Sequence, residues 1–94
     1  MGMTIKRYRI EVVGRVQGVG FRQSAWEVAQ RYHIAGWVRN CSERTRVQLE
    51  IEGEQEQLSS FIDWLKQGPT LARVDHLYQE EIPVQGISQF EIRR

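Results

Sequence analysis

A chain of 94 residues, 40% hydrophobic and 27% charged, has room for one domain around one core and excludes a second. Thirteen basic and twelve acidic residues leave a formal charge of +1, which argues against a polyanion such as duplex nucleic acid as a bulk partner. The lone Cys41 excludes an internal disulfide and any multi-cysteine metal site.

From Ile5 to Val13 the sequence alternates, with Tyr8, Ile10 and Val12 on one face and Arg7, Arg9 and Glu11 on the other, the period of a half-buried strand. Gly14-Arg15-Val16-Gln17-Gly18-Val19-Gly20 then sets three glycines in seven residues, which predicts a tight loop and not a continued strand. At Phe21 the period turns helical, through Phe21, Ala25, Val28, Ala29 and Tyr32, with a stop expected between His33 and Gly36. Gly36–Asn40 and Val47–Glu52 read as a strand pair, with Val47, Leu49 and Ile51 inward. The connection Cys41–Arg46 lacks the glycine that short hairpin turns favour. Leu58, Phe61, Ile62 and Leu65 mark a second amphipathic helix, which Gly68-Pro69 stops. Arg73–Ile82 reads as a strand, Pro83–Gly86 as a turn, and Gln89–Arg93, with Phe90 and Ile92 on one face, as a short last strand.

This order is β-α-β-β-α-β with a short extra strand, and it predicts an α+β, ferredoxin-like domain spanning residues 1–94: two helices on one face of an antiparallel sheet. That architecture hosts many unrelated functions. No apolar run approaches the roughly 18 residues of a membrane span. The first residues lack a signal-peptide core, and Lys6 stands where myristoylation needs Ser or Thr. No membrane association is expected, and the cytoplasm is the expected location.

The charge sum conceals a split: residues 1–47 hold nine basic and three acidic residues, and residues 48–94 hold four and nine. Arginine supplies eleven of the thirteen cations, the side chain suited to bidentate contact with phosphate or carboxylate. A glycine loop closing on a helix start offers unpaired N–H groups and a partial positive charge to an anion. The loop is neither the nucleotide P-loop nor the dinucleotide fingerprint, whose spacings are absent. By itself it fits a tight turn needing positive φ equally well. Arg22 adds a cation at the end of the helix where acidic residues are preferred, a misplacement of about 0.3–1 kcal/mol. An anion held in the loop explains it; a surface arginine or a pair with Glu27 is the alternative.

The run Val12-Val13-Gly14-Arg15-Val16-Gln17-Gly18-Val19-Gly20-Phe21-Arg22 matches throughout the first signature of the acylphosphatase family, and Gly36-Trp37-Val38-Arg39-Asn40 matches the start of the second. A looser pattern continues through residues 47–53, Gly68-Pro69, Ala72-Arg73-Val74 and Phe90-Glu91-Ile92, so the chain resembles that family from about Ile10 to Arg93. The resemblance implies hydrolysis of the carboxyl–phosphate bond of a small acyl phosphate to carboxylate and inorganic phosphate, with no metal or other cofactor. It places the catalytic arginine on Arg22, the catalytic asparagine on Asn40, and the phosphate-binding loop on Arg15, Val16, Gln17, Gly18, Val19 and Gly20. Inorganic phosphate or sulfate is expected to compete for that loop, and a monomer with no nucleic-acid partner is expected. Asn40 cannot act as a base at neutral pH, so its role is to orient the attacking water. The loop and Arg22 stabilise phosphoryl charge.

Where the family usually places glycine after the asparagine, this chain has Arg44, with one extra residue before Val47. The extra residue costs well under about 1 kcal/mol in loop closure. Because this turn adjoins Asn40, a shift of about 1 Å there is worth roughly 100-fold in rate; activity is expected to be retained, at an equal or lower rate. Cys41 is read as a bystander thiol, and His33 and His76 lack ligand spacing. Trp26, Trp37 and Trp64 are read as core or its rim. Arg15, Arg39, Arg44 and Arg46 at most steer an anion inward. Two alternatives remain on the same fold: a non-catalytic phosphate or acyl-phosphate binder, and an RNA-binding module. The second is disfavoured by the absence of aromatics from Val47–Glu52.

Overall fold

In the computed structural model, which describes residues 3–94, seven elements follow in order. They are β1 (Ile5–Arg15), α1 (Phe21–Arg31), β2 (Ala35–Asn40), β3 (Arg46–Glu54), α2 (Gln55–Leu65), β4 (Arg73–Ile82) and β5 (Phe90–Arg93). The strands form one sheet in the order β4-β1-β3-β2-β5. The alternating residues behave as their period dictates. Ile10 and Val12 of β1, Val38 of β2, and Val47, Leu49 and Ile51 of β3 join Phe21, Ala25, Val28 and Ala29 of α1 and Leu58, Phe61, Ile62 and Leu65 of α2 in one buried cluster. Phe61 stacks on Trp64 and meets Phe90 edge-on, each at 6.1 Å between ring centres, which ties β5 to α2.

Two expectations need correction. The sheet is mixed: three pairings are antiparallel, but β5 runs parallel to β2. Because β4 and β5 lie at opposite edges, residues 83–89 must cross the sheet, and a chain that crosses enters β5 in the direction of β2. The first strand also does not stop at the first glycine. β1 runs on through Gly14 to Arg15, with a bulge between Val13 and Gly14. At Gly14, φ is +148°, and a Cβ there would lie 2.1 Å from the Arg73 carbonyl oxygen. Glycine therefore continues this strand because only its bare Cα lets β4 close in.

The face of the sheet away from the helices carries the charged set. Arg7, 1% exposed, donates to Glu50 Oε1 at 2.8 Å and to Glu52 Oε1 at 3.1 Å. Arg9 reaches both Glu50 and Glu80 at 3.7 Å. Because β1 from the basic half of the sequence pairs with β3 and β4 from the acidic half, much of the charge split is neutralised between neighbouring strands. Trp37 is buried on this face and not in the main core, with the Arg39 and Arg93 guanidinium carbons 5.4 and 4.9 Å from its ring centre. Trp64 is on the core's rim as expected, whereas Trp26 is 37% exposed.

Glu52 fastens the crossing segment. Its Oε1 accepts from Gln85 N–H at 2.8 Å and its Oε2 from Gly86 N–H at 2.9 Å. Burial pushes its pKa up, but the Gln85 N–H, the Arg7 guanidinium and the Gly86 N–H outweigh burial and hold it below the ordinary 4.5. Glu52→Gln removes one charge of a buried pair and is expected to cost about 3 kcal/mol at pH 7 in urea unfolding. A folded-state pKa below the unfolded one means that the wild-type advantage is complete above pH 4.5 and is lost as pH falls through the lower, folded-state value. An advantage that grows on acidification contradicts this role.

Candidate active site

β1, β2 and β5 all end at the same edge of the domain. Asn40, the last residue of β2, lies opposite Val47, which lies opposite Val12 just before the bulge, and Arg39 is beside Arg93. The chain leaving β1 enters α1 through Gly20, whose φ of +77° and ψ of +21° put it in the left-handed region with no side-chain cap. A Cβ at Gly20 would meet nothing within 4 Å, so conformation and not crowding requires the glycine. The first helical hydrogen bond runs from Ser24 N–H to the Gly20 oxygen at 3.0 Å. The N–H groups of Phe21, Arg22 and Gln23 precede it and have no acceptor within the helix. No acidic residue occupies that first turn, so the positive end of α1 is not neutralised locally.

A cavity of about 460 Å³ opens here, lined by Gly18, Gly20 and Arg22 from the loop and helix start, Asn40 from β2, and Ile92 and Arg94 from the C-terminal segment. Arg22 contacts the Arg93 carbonyl oxygen only at 3.4 Å, and among the described residues it has no ion pair, with Glu27 or any other carboxylate. Its guanidinium thus keeps donors for an anion while lying at a cavity whose wall includes the loop backbone. The other expected loop residues divide. Val16 also lines this cavity, and Val19 packs against the core. Arg15 ends β1 and faces a different cavity. Gln17 turns to the residues after Asn40.

The family model described as Acylphosphatase matches residues 8–92. The chain belongs to the acylphosphatase family. An acylphosphatase of Pseudomonas paraeruginosa is 51% identical over 83 residues, covering 88% of this chain and 90% of the relative. The crystal structure of acylphosphatase from Bacillus subtilis superposes with a TM-score of 0.90 at 36% identity, covering 97% of this chain and all of that one. The Coxiella burnetii acylphosphatase structure gives the same TM-score and identity over 95% and 93% of the two chains.

The turn that departs from the acylphosphatase pattern is closed by Cys41 N–H on the Arg46 oxygen at 3.1 Å and by Arg46 N–H on the Glu43 oxygen at 3.2 Å. Gln17 braces it. Its Nε2 donates to the carbonyl oxygens of Cys41, Glu43 and Arg46 at 2.9, 2.9 and 2.8 Å. All three partners are acceptors, which fixes the amide with its nitrogen inward, its two protons shared among three oxygens. The longer turn therefore leaves Asn40 in strand register. Gln17→Ala is expected to cost about 1–3 kcal/mol by stranding these carbonyls, a loss read as a lower urea midpoint; an unchanged midpoint shows that the turn holds itself.

Burial, with Glu11 and then Glu43 adding to it against the opposing Arg39 and Arg46, pushes the Cys41 thiol above its ordinary 9.0. It is protonated at neutral pH and poorly suited as a nucleophile. Two of the arginines expected to steer ligand are engaged elsewhere: Arg39 bonds Gln48 at 2.8 Å, and Arg46 bonds Glu11 at 2.7 Å and Glu43 at 3.0 Å. Ile92 and Arg94 went unread as site residues. Alternation puts Ile92 on the face of Phe90, but only the parallel pairing of β5 with β2 brings both beside Asn40.

Proposed function

We propose that the chain hydrolyses small acyl phosphates at this cavity, with Arg22 and Asn40 as catalytic residues and the loop from Arg15 to Gly20 as the phosphate cradle. The carrying observation is that Gly18, Gly20 and Arg22 from one stretch of sequence and Asn40 from another line one cavity. The backbone N–H groups of the helix start and the Arg22 fork bind the phosphoryl oxygens. Asn40 positions a water in line with the scissile P–O bond. The water oxygen bonds to phosphorus, the bond to the acyl oxygen breaks, and its electron pair leaves with the carboxylate. One water proton passes to a phosphoryl oxygen and the other ends in solvent. A carboxylate leaves readily without protonation, so no protein acid is called for. Protein contacts are spent on the charge of the transferring group.

The reading includes one domain over residues 1–94, acting as a monomer in the cytoplasm; among the described residues no helix is long and apolar enough to cross a membrane. It sets aside RNA. On the open face Trp37 is 8% exposed beneath two arginines, which leaves no ring face for a base to stack on. The test is phosphate release from benzoyl phosphate in excess EDTA. Turnover with competitive inhibition by phosphate and sulfate is expected. Tight phosphate binding without turnover selects the non-catalytic binder instead.

A further inference from the structure

A second cavity, of about 430 Å³, lies on the other side of the same loop, and three arginines line it: Arg15 at the end of β1, Arg44 in the turn after β2, and Arg73 at the start of β4. Arg15 and Arg73 are direct cross-strand partners, an arrangement of like charges that weakens a strand pair. Among the described residues neither Arg15 nor Arg44 has an ion pair or a side-chain hydrogen bond. Arg73 has one, to Asp75 at 3.1 Å, and Asp75 is the only carboxylate lining the cavity. The nearest further carboxylates on the turn and on β1, Glu43 and Glu11, are both taken by Arg46. The cavity therefore carries a surplus of two positive charges. Val13 gives it an apolar wall.

Arg44 lies in the turn between Asn40 at the end of β2 and Val47 of β3. We propose that Arg15, Arg44 and Arg73 form a second anion site, separate from the Arg22 cavity, for a small organic phosphate: a dianionic head taken by guanidinium forks, with an apolar body against Val13.

The proposal stands apart from the catalytic reading, so its test uses Arg22→Ala protein, in which the first site is weakened by the loss of its guanidinium fork. Phenyl phosphate is titrated while the amide signals of Val13, Gly14 and Thr45 are followed by NMR. Saturable shifts are expected at these residues, with affinity falling about tenfold or more when Arg44→Gly or Arg73→Ala is added, the loss of one charge-assisted contact. Arg73→Ala leaves the turn untouched, which guards against a refolded turn in Arg44→Gly. Inorganic phosphate in a parallel titration is expected to bind more weakly, because it lacks the apolar body. Shifts that do not saturate, or affinity unchanged in both arginine variants, overturn the proposal.

Discussion

Arg22→Ala is expected to lower kcat/KM for benzoyl phosphate by about 10³-fold, the range for losing a preorganised donor or arginine at a transferring phosphoryl group. The reason is placement. In the structure this guanidinium has one long contact, to the Arg93 oxygen at 3.4 Å, and it lies against the helix dipole. It contributes little to the fold, so folding stability should stay level or rise by a few tenths of a kcal/mol to about 1 kcal/mol as the misplaced cation is removed. Activity and stability should therefore part company in this variant. Arg22→Lys should recover only a small share of the rate, since an ammonium is a point charge without the planar fork. A kcat/KM equal to wild type, with intact folding, removes Arg22 from the mechanism.

The second large effect is expected at Asn40. Asn40→Ala should reduce kcat by about 100-fold or more, the scale of misplacing an attacking group. Competitive inhibition by phosphate should stay within about twofold of wild type, because a water-positioning residue acts on the chemical step and not on anion binding. The loop N–H groups and Arg22, which bind the anion, are untouched by this change. A parallel loss of phosphate affinity would reassign Asn40 to the cradle. The bracing of the neighbouring turn gives a further check. Gln17→Ala leaves Asn40 chemically present but loosens the segment that follows it, so it should lower kcat less than Asn40→Ala does.

What the sequence made legible follows the range of the forces involved. Local periodicity named the core residues Ile10, Val12, Leu49, Phe61 and Leu65, and it placed β4 at Arg73–Ile82, where the structure has it. The glycine loop running into a helix start was legible because the two are neighbours in sequence, and Arg22 stood out because its charge is at odds with the dipole. Long-range pairing was not legible. The parallel register of β5 on β2, and with it Ile92 and Arg94 at the cavity, depends on where residues 83–89 cross the sheet. Glu52 sets that crossing through two backbone N–H groups more than thirty residues away. Gly14 misled because the rule that glycine ends a strand fails where a neighbouring backbone needs the room. The bracing of residues 41–46 by the Gln17 side chain was not legible, because its three carbonyl partners lie 24 to 29 residues further along the chain. Trp37, read as core or its rim, is buried as expected, but flanking arginines let it be buried on the charged face.

In the proposed mechanism a helix start, one arginine and one asparagine form a single site for a phosphoryl group. A crystal of the protein soaked in inorganic phosphate tests it directly. One anion is expected, bound by the backbone N–H groups between Gly18 and Arg22 and bidentately by the Arg22 guanidinium, with the Asn40 side chain within reach of a water on the anion's open side. Phosphate absent from this cavity at saturating concentration, or bound there without Arg22, contradicts it.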